Sequence, residues 1–273
     1  MPPLNIDDLF VATLAGEYDG DEPWQAVSEL RRNGSREIFE RAADWCRSED
    51  ALKRARGADI LAQLRVPQST EQKQSLVIPE PLYIQESTAI ILDMLNTETD
   101  ELALRAEIHA LGHLGLPMVI NAVLRYGGHP NEDIRYAVTH ALGHFPNDAR
   151  VMQALVTLGD DADQDVRNWA LFALGTQSDQ DSPEMRDLFA RHLDDSFPDA
   201  RQEAIAGLAK RGDERAVLPL FEVMQSGSYF AHLEDDFAKL TGLDRVEGGI
   251  GTDDFVDALY ARFPHLLPPR SDA

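Results

Sequence analysis

The sequence predicts an all-α protein built as a right-handed α-α superhelix of about six to seven helix pairs. Three observations carry that expectation. The stretch His-Ala-Leu-Gly-His stands at residues 109–113 and returns at residues 140–144. Arginines at Arg135, Arg167 and Arg201 head three segments, EDIRYAVTHALGH (132–144), QDVRNWALFALGT (164–176) and PDARQEAIAGLAK (198–210), which align at a spacing of roughly thirty-three residues. Within each segment the apolar or small residues stand just before the arginine and three, six and seven positions after it, as Val166, Ala170, Ala173 and Leu174 do. That is the period of a helix face and not of a strand.

In chain order, residues 26–65 read as three helices, the third carrying Arg54 in the aligned arginine position. Residues 66–80, VPQSTEQKQSLVIPE, are polar and flanked by proline and read as a loop, after which LYIQESTAIILDMLN (82–96) resumes the helical pattern. The copy LALRAEIHALGH (102–113) places Leu104 in the arginine position. Further amphipathic segments alternate with the aligned ones, at 116–128, 148–160, 182–195 and 214–227, so each unit is a helix pair. Asn131, Asp163 and Ser182 suit helix N-caps, Pro183 suits a first helical position, and Gly112, Gly143 and Gly175 fall near helix ends. Segments 229–243 and 252–263 are expected to close the array. Residues 1–22 then form an N-terminal extension, 23–263 a single repeat array and 264–273 a tail. A helix pair cannot bury its apolar stripe alone, so the copies must stack.

Forty-eight acidic residues against 25 basic ones leave a net charge of -23, which speaks against nucleic acid and for a basic protein partner. The single cysteine, Cys46, excludes an intramolecular disulfide and reads as a core residue in a reduced cytoplasmic setting. The first residues lack a signal-peptide pattern, and no window approaches the ~18 apolar residues of a membrane span, so no membrane association is expected. Two histidines four apart on a helix share a face, the spacing used by zinc proteases, but both copies carry Ala where the protease motif needs its Glu base. Nucleophile-elbow, P-loop and paired-cysteine motifs are missing, so neither catalysis nor a cofactor is expected.

The pattern quoted in DQDVRNWALFALG resembles the HEAT repeat, in the bacterial subtype named after phycobilisome lyases, over about residues 49–227. The run from Gln164 to Leu220 is similar to a set of bacterial HEAT proteins, some of which are regarded as immunity proteins encoded beside Rhs-type toxins. The same repeat family includes deoxyhypusine hydroxylase, whose iron ligands come from His-Glu dipeptides. The matching positions here read Arg105-Ala106, Tyr136-Ala137, Asn168-Trp169 and Gln202-Glu203, so that iron site is not carried over and no metal is assigned. The HEAT-type alkylpurine glycosylases, similar in fold, grip DNA with a basic face that this composition does not offer.

In a HEAT unit the helix that starts at the arginine lines the concave side, and positions one, two, five and nine after it point away from the core. The resemblance therefore implies a concave protein-binding face of Arg105, His109, His113, Tyr136, His140, His144, Trp169, Phe172 and Glu203. Four imidazoles on neighbouring helices can alternatively converge on a metal, and Trp169 can equally wedge between helices as anchor a partner. The turns that lead into these helices are acidic, and stacking is expected to gather Asp133, Asp160, Asp161, Asp163, Asp165, Asp194, Asp195 and Asp199 along one edge. Arg135, Arg167 and Arg201 are expected to join neighbouring repeats as an Asp-Arg ladder, leaving the surplus carboxylates to steer a basic partner, most concretely a toxin domain that this protein neutralises.

Overall fold

The computed structural model describes residues 5–68, 79–227, 231–244 and 249–270. The described residues are all-α apart from one isolated bridge between Arg65 and Pro81. They form two compact units, Met1–Phe145 and Pro146–Ala273.

The first unit opens with α1 (Ile6–Ala12) and α2 (Asp21–Arg32). It continues with the pairs α3 (Arg36–Trp45) and α4 (Ala51–Leu61), α5 (Ile84–Leu95) and α6 (Glu101–Leu114), then α7 (Ile120–Leu124) and α8 (Glu132–Gly143). The first helix of each pair packs on the second, and the second helices stack in sequence, α4 on α6 and α6 on α8. The second unit repeats the scheme with α9 (Ala149–Leu158) and α10 (Gln164–Gly175), then α11 (Pro183–Arg191) and α12 (Pro198–Lys210). It is completed by α13 (Val217–Ser226), α14 (Glu234–Thr241) and α15 (Thr252–Arg262). Here α10 packs on α12, α12 on α14, and α15 covers α13 and α14.

The expected caps are in place. Asn131 accepts from the amide of Asp133, Asp163 from those of Asp165 and Val166, and Ser182 from that of Met185, with Pro183 following as the first helical residue. Each uses a side-chain oxygen to satisfy amides that have no partner inside the helix. Gly112 lies near the end of α6, as expected, but does not close the helix. Helix α6 runs on to Leu114 and is closed by Gly115 at φ 68°, the left-handed conformation a Cβ disfavours. Gly112 instead lets α8 come close, because a Cβ there would lie 2.6 Å from Ala141 Cα.

The segment expected as an N-terminal extension is part of the first unit. Phe10 is fully buried and meets Trp45 edge to face at 4.8 Å. Arg56 of α4, 1% exposed, donates to the carbonyls of Thr13 and Tyr18 at 2.8 and 2.6 Å and pairs with Asp59 at 3.2 Å. The Tyr18 hydroxyl donates to the same Asp59 carboxylate at 2.8 Å. A buried charge needs this density of partners to offset its lost hydration. The described part of the expected tail also lies on the fold, since the Tyr260 hydroxyl donates to the Pro268 carbonyl at 3.0 Å and Leu267 is buried. Of the expected loop 66–80, residues 69–78 lie outside the described residues, and its flanks are tied by Val66 N to Glu80 O at 2.9 Å and Leu82 N to Leu64 O at 2.8 Å.

The arginine position has a repeated chemistry. Arg54 Nη1 donates to the carbonyls of Ser48 and Glu49, Arg135 Nη1 to those of His129 and Pro130, and Arg167 Nη1 to those of Asp161 and Ala162. Arg54 and Arg167 also reach the turn of the following pair. Arg54 grips Glu98 in fork geometry at 2.7 and 2.9 Å, and Arg167 grips Asp195 at 3.0 and 2.9 Å. Burial opposes ionisation of Glu98, but Arg54 and the amides of Asp100 and Thr99 override it and hold the carboxyl at about 2. Asp195 is likewise held well below the usual carboxylate range, against its burial, by Arg167, the Phe197 amide and His192.

Arg201 departs from the expected ladder. Its guanidinium donates to the Asp195 carbonyl at 3.1 Å, and among the described residues it pairs with no carboxylate; the corresponding turn, residues 228–230, lies outside the described residues. Removing Arg167 leaves Asp195 buried and without its cation, so Arg167→Ala is expected to cost about 3 kcal/mol of unfolding free energy in urea titration. A loss under about 1 kcal/mol would contradict a structural role for this pair.

Candidate functional site

The two His-Ala-Leu-Gly-His stretches meet inside the first unit. His109 and His113 on α6 interleave with His140 and His144 at the end of α8, because the close approach at Gly112 and Ala141 brings the two helix faces together. The rings step along the junction edge to face. His109 lies 5.0 Å from His140, His140 5.3 Å from His113, and His113 5.4 Å from His144, with Tyr136 6.0 Å from His109 at the other end. His109, His113, His140 and Tyr136 are half-buried and His144 is exposed.

Burial first, then the neighbouring imidazoles, lower His109 and His113 to about 3 and His140 to about 4, and burial lowers His144. All four rings are therefore neutral at pH 7. Among the described residues no group of three or more His, Cys, Asp and Glu side chains has the arrangement of a metal site. The junction is a neutral strip of aromatic edges and faces.

Arg105, expected beside these histidines as a binding residue, is already engaged. Its Nη2 donates to both carboxylate oxygens of Asp19 at 3.0 and 3.1 Å, and its guanidinium lies 5.0 Å from the Tyr18 ring. The N-terminal segment thus occupies the cation, a contact across 86 positions that local pattern does not announce.

On the opposite side of α6, Glu107 is fully buried and neither carboxyl oxygen has a hydrogen-bond partner among the described residues. Burial, with the nearby Glu98 carboxylate adding to it, pushes Glu107 up to about 9, so it is a neutral acid at pH 7. Burial also pushes the Cys46 thiol up, which leaves Cys46 an inert core residue, as expected.

The second unit holds a pocket of about 300 Å³ lined by Asn168, Trp169 and Phe172 of α10, Asp199 and Glu203 of α12, and His232 in the turn before α14. Trp169 and Phe172 are half-buried and meet edge to face at 5.5 Å and 87°; His232 stands 6.1 Å from Phe172. Glu203 corrects the expectation of an exposed binding residue. It is 4% exposed, accepts from the Thr176 hydroxyl at 3.1 Å and meets His232 Nε2 at 3.0 Å, because α12 is buried against α10 and α14 along this face. Burial raises its pKa even though His232 and Thr176 favour the charged form.

The acidic residues expected along an edge fall into two sets. Asp163 is an N-cap, Asp161 Oδ1 accepts from the Asp163 amide at 2.8 Å, Asp160 pairs with Arg191 and His192, and Asp195 is gripped by Arg167. Asp133, Asp165 and Asp194 are exposed and Asp199 is half-buried, and these four carboxylates make no ion pair or hydrogen bond among the described residues.

The profile of HEAT repeats matches residues 88–175 and 157–231, together more than half of the chain. The chain belongs to the HEAT-repeat family. Protein YibA of Escherichia coli K12 is 23% identical to it over 239 residues, which span 88% of this chain and 80% of YibA. The X-ray structure of YibA matches with a TM-score of 0.68 and 21% identity, covering 87% of this chain and 82% of the other. The crystal structure of an engineered protein matches with a TM-score of 0.53 and 15% identity, over 94% of this chain and 72% of that one. At these identities the likeness is one of fold. In this HEAT-repeat protein the Ala-Leu centre of each histidine stretch is core, with Ala110, Leu111, Ala141 and Leu142 buried, and the histidines are what the repeat carries outward.

Two pH dependences follow. The unfolded chain protonates its histidines near pH 6.5, and the folded junction resists, so its contribution to stability is present above that pH and is lost as pH falls toward 4. In NMR titration the rings of His109, His113 and His140 are expected to keep neutral-form shifts from about pH 7.5 to about pH 5; a midpoint near 6.5 for any of them would contradict the junction. Glu107 works in the opposite direction. Its proton is retained on folding and lost on unfolding between about pH 4.5 and 9, so stability falls as pH rises through that window. Glu107→Gln is expected to raise unfolding free energy by about 1–2 kcal/mol at about pH 8, with the gain vanishing toward about pH 5. A difference that does not change with pH would remove the neutral-acid assignment.

Proposed function

We propose that this chain is a non-enzymatic, protein-binding HEAT-repeat protein of the cytoplasm whose partner is basic. The observation that carries the reading is a set of carboxylates that no ion pair or hydrogen bond among the described residues takes up. Asp133, Asp165, Asp194 and Asp199 have no cation partner among the described residues, in a chain of net charge -23. Aspartates that neither cap a helix nor close a ladder raise the chain's own repulsion, and a complementary surface offsets it while speeding encounter. The half-buried aromatics Trp169, Phe172 and Tyr136 supply what such contacts need beside charge, since rigid rings lose little freedom on binding.

The finer reading is that the partner is the catalytic domain of an Rhs-type toxin, which this protein holds inactive. It rests on the resemblance of residues 164–220 to a set of bacterial HEAT proteins, some of which are regarded as immunity proteins. That role needs no catalytic group in the chain; it asks for a pre-shaped surface and tight association.

No helix among the described residues is long and apolar enough to cross a membrane. The test is a pull-down from the native cytosol with the purified chain as bait, run across a salt series and repeated with Asp133, Asp165 and Asp194 all changed to Asn. A basic protein held at about 0.05 M salt, released by about 0.5 M and retained poorly by the variant is expected. Capture that ignores both salt and the variant would overturn the charge-led reading. If the captured protein arrests bacterial growth when expressed alone and is harmless when co-expressed with this chain, the immunity role stands; growth arrest unchanged by co-expression removes it.

A further inference from the structure

We propose that the pocket between α10 and α12 is a receptor for a single arginine side chain, supplied by the basic partner inferred above, on whose existence the biological role rests. Its walls have the chemistry of a guanidinium site. Trp169 and Phe172 stand perpendicular to each other, 5.5 Å apart, and both line the pocket, so a planar group there meets aromatic surface. A cation over an indole or phenyl face is attracted by the ring quadrupole, and a guanidinium adds stacking that an ammonium lacks.

The polar atoms complete the match. Asn168 Oδ1 is buried and has no hydrogen-bond partner among the described residues, a cost the fold carries without return until a donor arrives. The carboxylate of Asp199, half-buried beside it, is likewise without a partner among the described residues. Glu203 is fixed at the back by Thr176 and His232, and its position is therefore set before any ligand binds. The uncommitted acceptors are thus a covered amide oxygen and a carboxylate among residues that include two aromatic rings. A guanidinium presents donors in a rigid fork suited to them, whereas an anion meets only like charge and a neutral apolar side chain leaves both acceptors unpaired. A space of about 300 Å³ is enough for one such side chain and its stem.

The probe is N-acetyl-arginine methylamide titrated into the full-length ¹⁵N-labelled protein, followed at the Trp169 indole signal, which is assigned by its loss in Trp169→Phe. The expected result is a saturable shift below about 50 mM ligand, no saturable shift with the uncharged isostere N-acetyl-citrulline methylamide, and binding about tenfold weaker in Asp199→Asn. Asp199→Asn preserves shape on the pocket rim, and unchanged signals elsewhere in its spectrum show that the fold is intact. Equal response to the arginine and citrulline amides, an unchanged affinity in Asp199→Asn, or no saturable shift of the indole each overturns the assignment. The probe needs no partner protein. A chain that ignores the amide yet captures a basic protein in a salt-sensitive way loses this pocket and keeps the wider reading; one that binds the amide and captures no protein keeps the pocket and loses the wider reading.

Discussion

An arginine in the first turn of a second helix closes the turn behind it through carbonyls five and six residues back, and at Arg54 and Arg167 it also grips the turn ahead through a carboxylate. Apolar burial alone would let neighbouring helix pairs slide, because it is non-directional. A forked ion pair whose carboxylate also accepts from backbone amides fixes the register between them. Once register is fixed, side chains at corresponding positions on successive second helices come opposite one another. The aromatic pocket on α10 and α12 is a product of that alignment, whereas the histidine junction on α6 and α8, where Leu104 stands in the arginine position, is set by the close approach at Gly112 and Ala141.

Much of this was legible in the sequence because repeats write their geometry periodically. The arginine spacing, the caps at Asn131, Asp163 and Ser182, and the buried Ala-Leu pairs follow from local pattern, and all stand where the pattern puts them. The pairing of the two histidine stretches was also legible, since equal positions in adjacent copies must face each other. What local pattern does not carry is contact between distant segments. Arg105 is taken by Asp19, Arg56 by Thr13 and Tyr18, and Glu203 is drawn inward by His232 from the turn before α14. The signal that could have found Arg56 is a second arginine two positions after the aligned one, on the face that otherwise holds Ala55, Ala58 and Leu61.

Charge is distributed by use. Carboxylates in the turns first satisfy amides and guanidinium groups of the fold, and those left over are the ones at Asp133, Asp165, Asp194 and Asp199. The imidazoles contribute no charge at neutral pH, because crowding and burial keep their protons off. The uncommitted carboxylates and the neutral imidazoles are therefore separate resources, and the pocket on α10 and α12 is where an aromatic pair and an uncommitted carboxylate occur together.

The network around Arg56 has a consequence for how the chain begins its life. All of its partners, Thr13, Tyr18 and Asp59, lie within the first sixty or so residues. During synthesis the buried guanidinium can be fully coordinated as soon as that stretch has cleared the ribosome, before any later repeat exists. Each later helix pair then docks onto a neighbour whose buried charge is already satisfied.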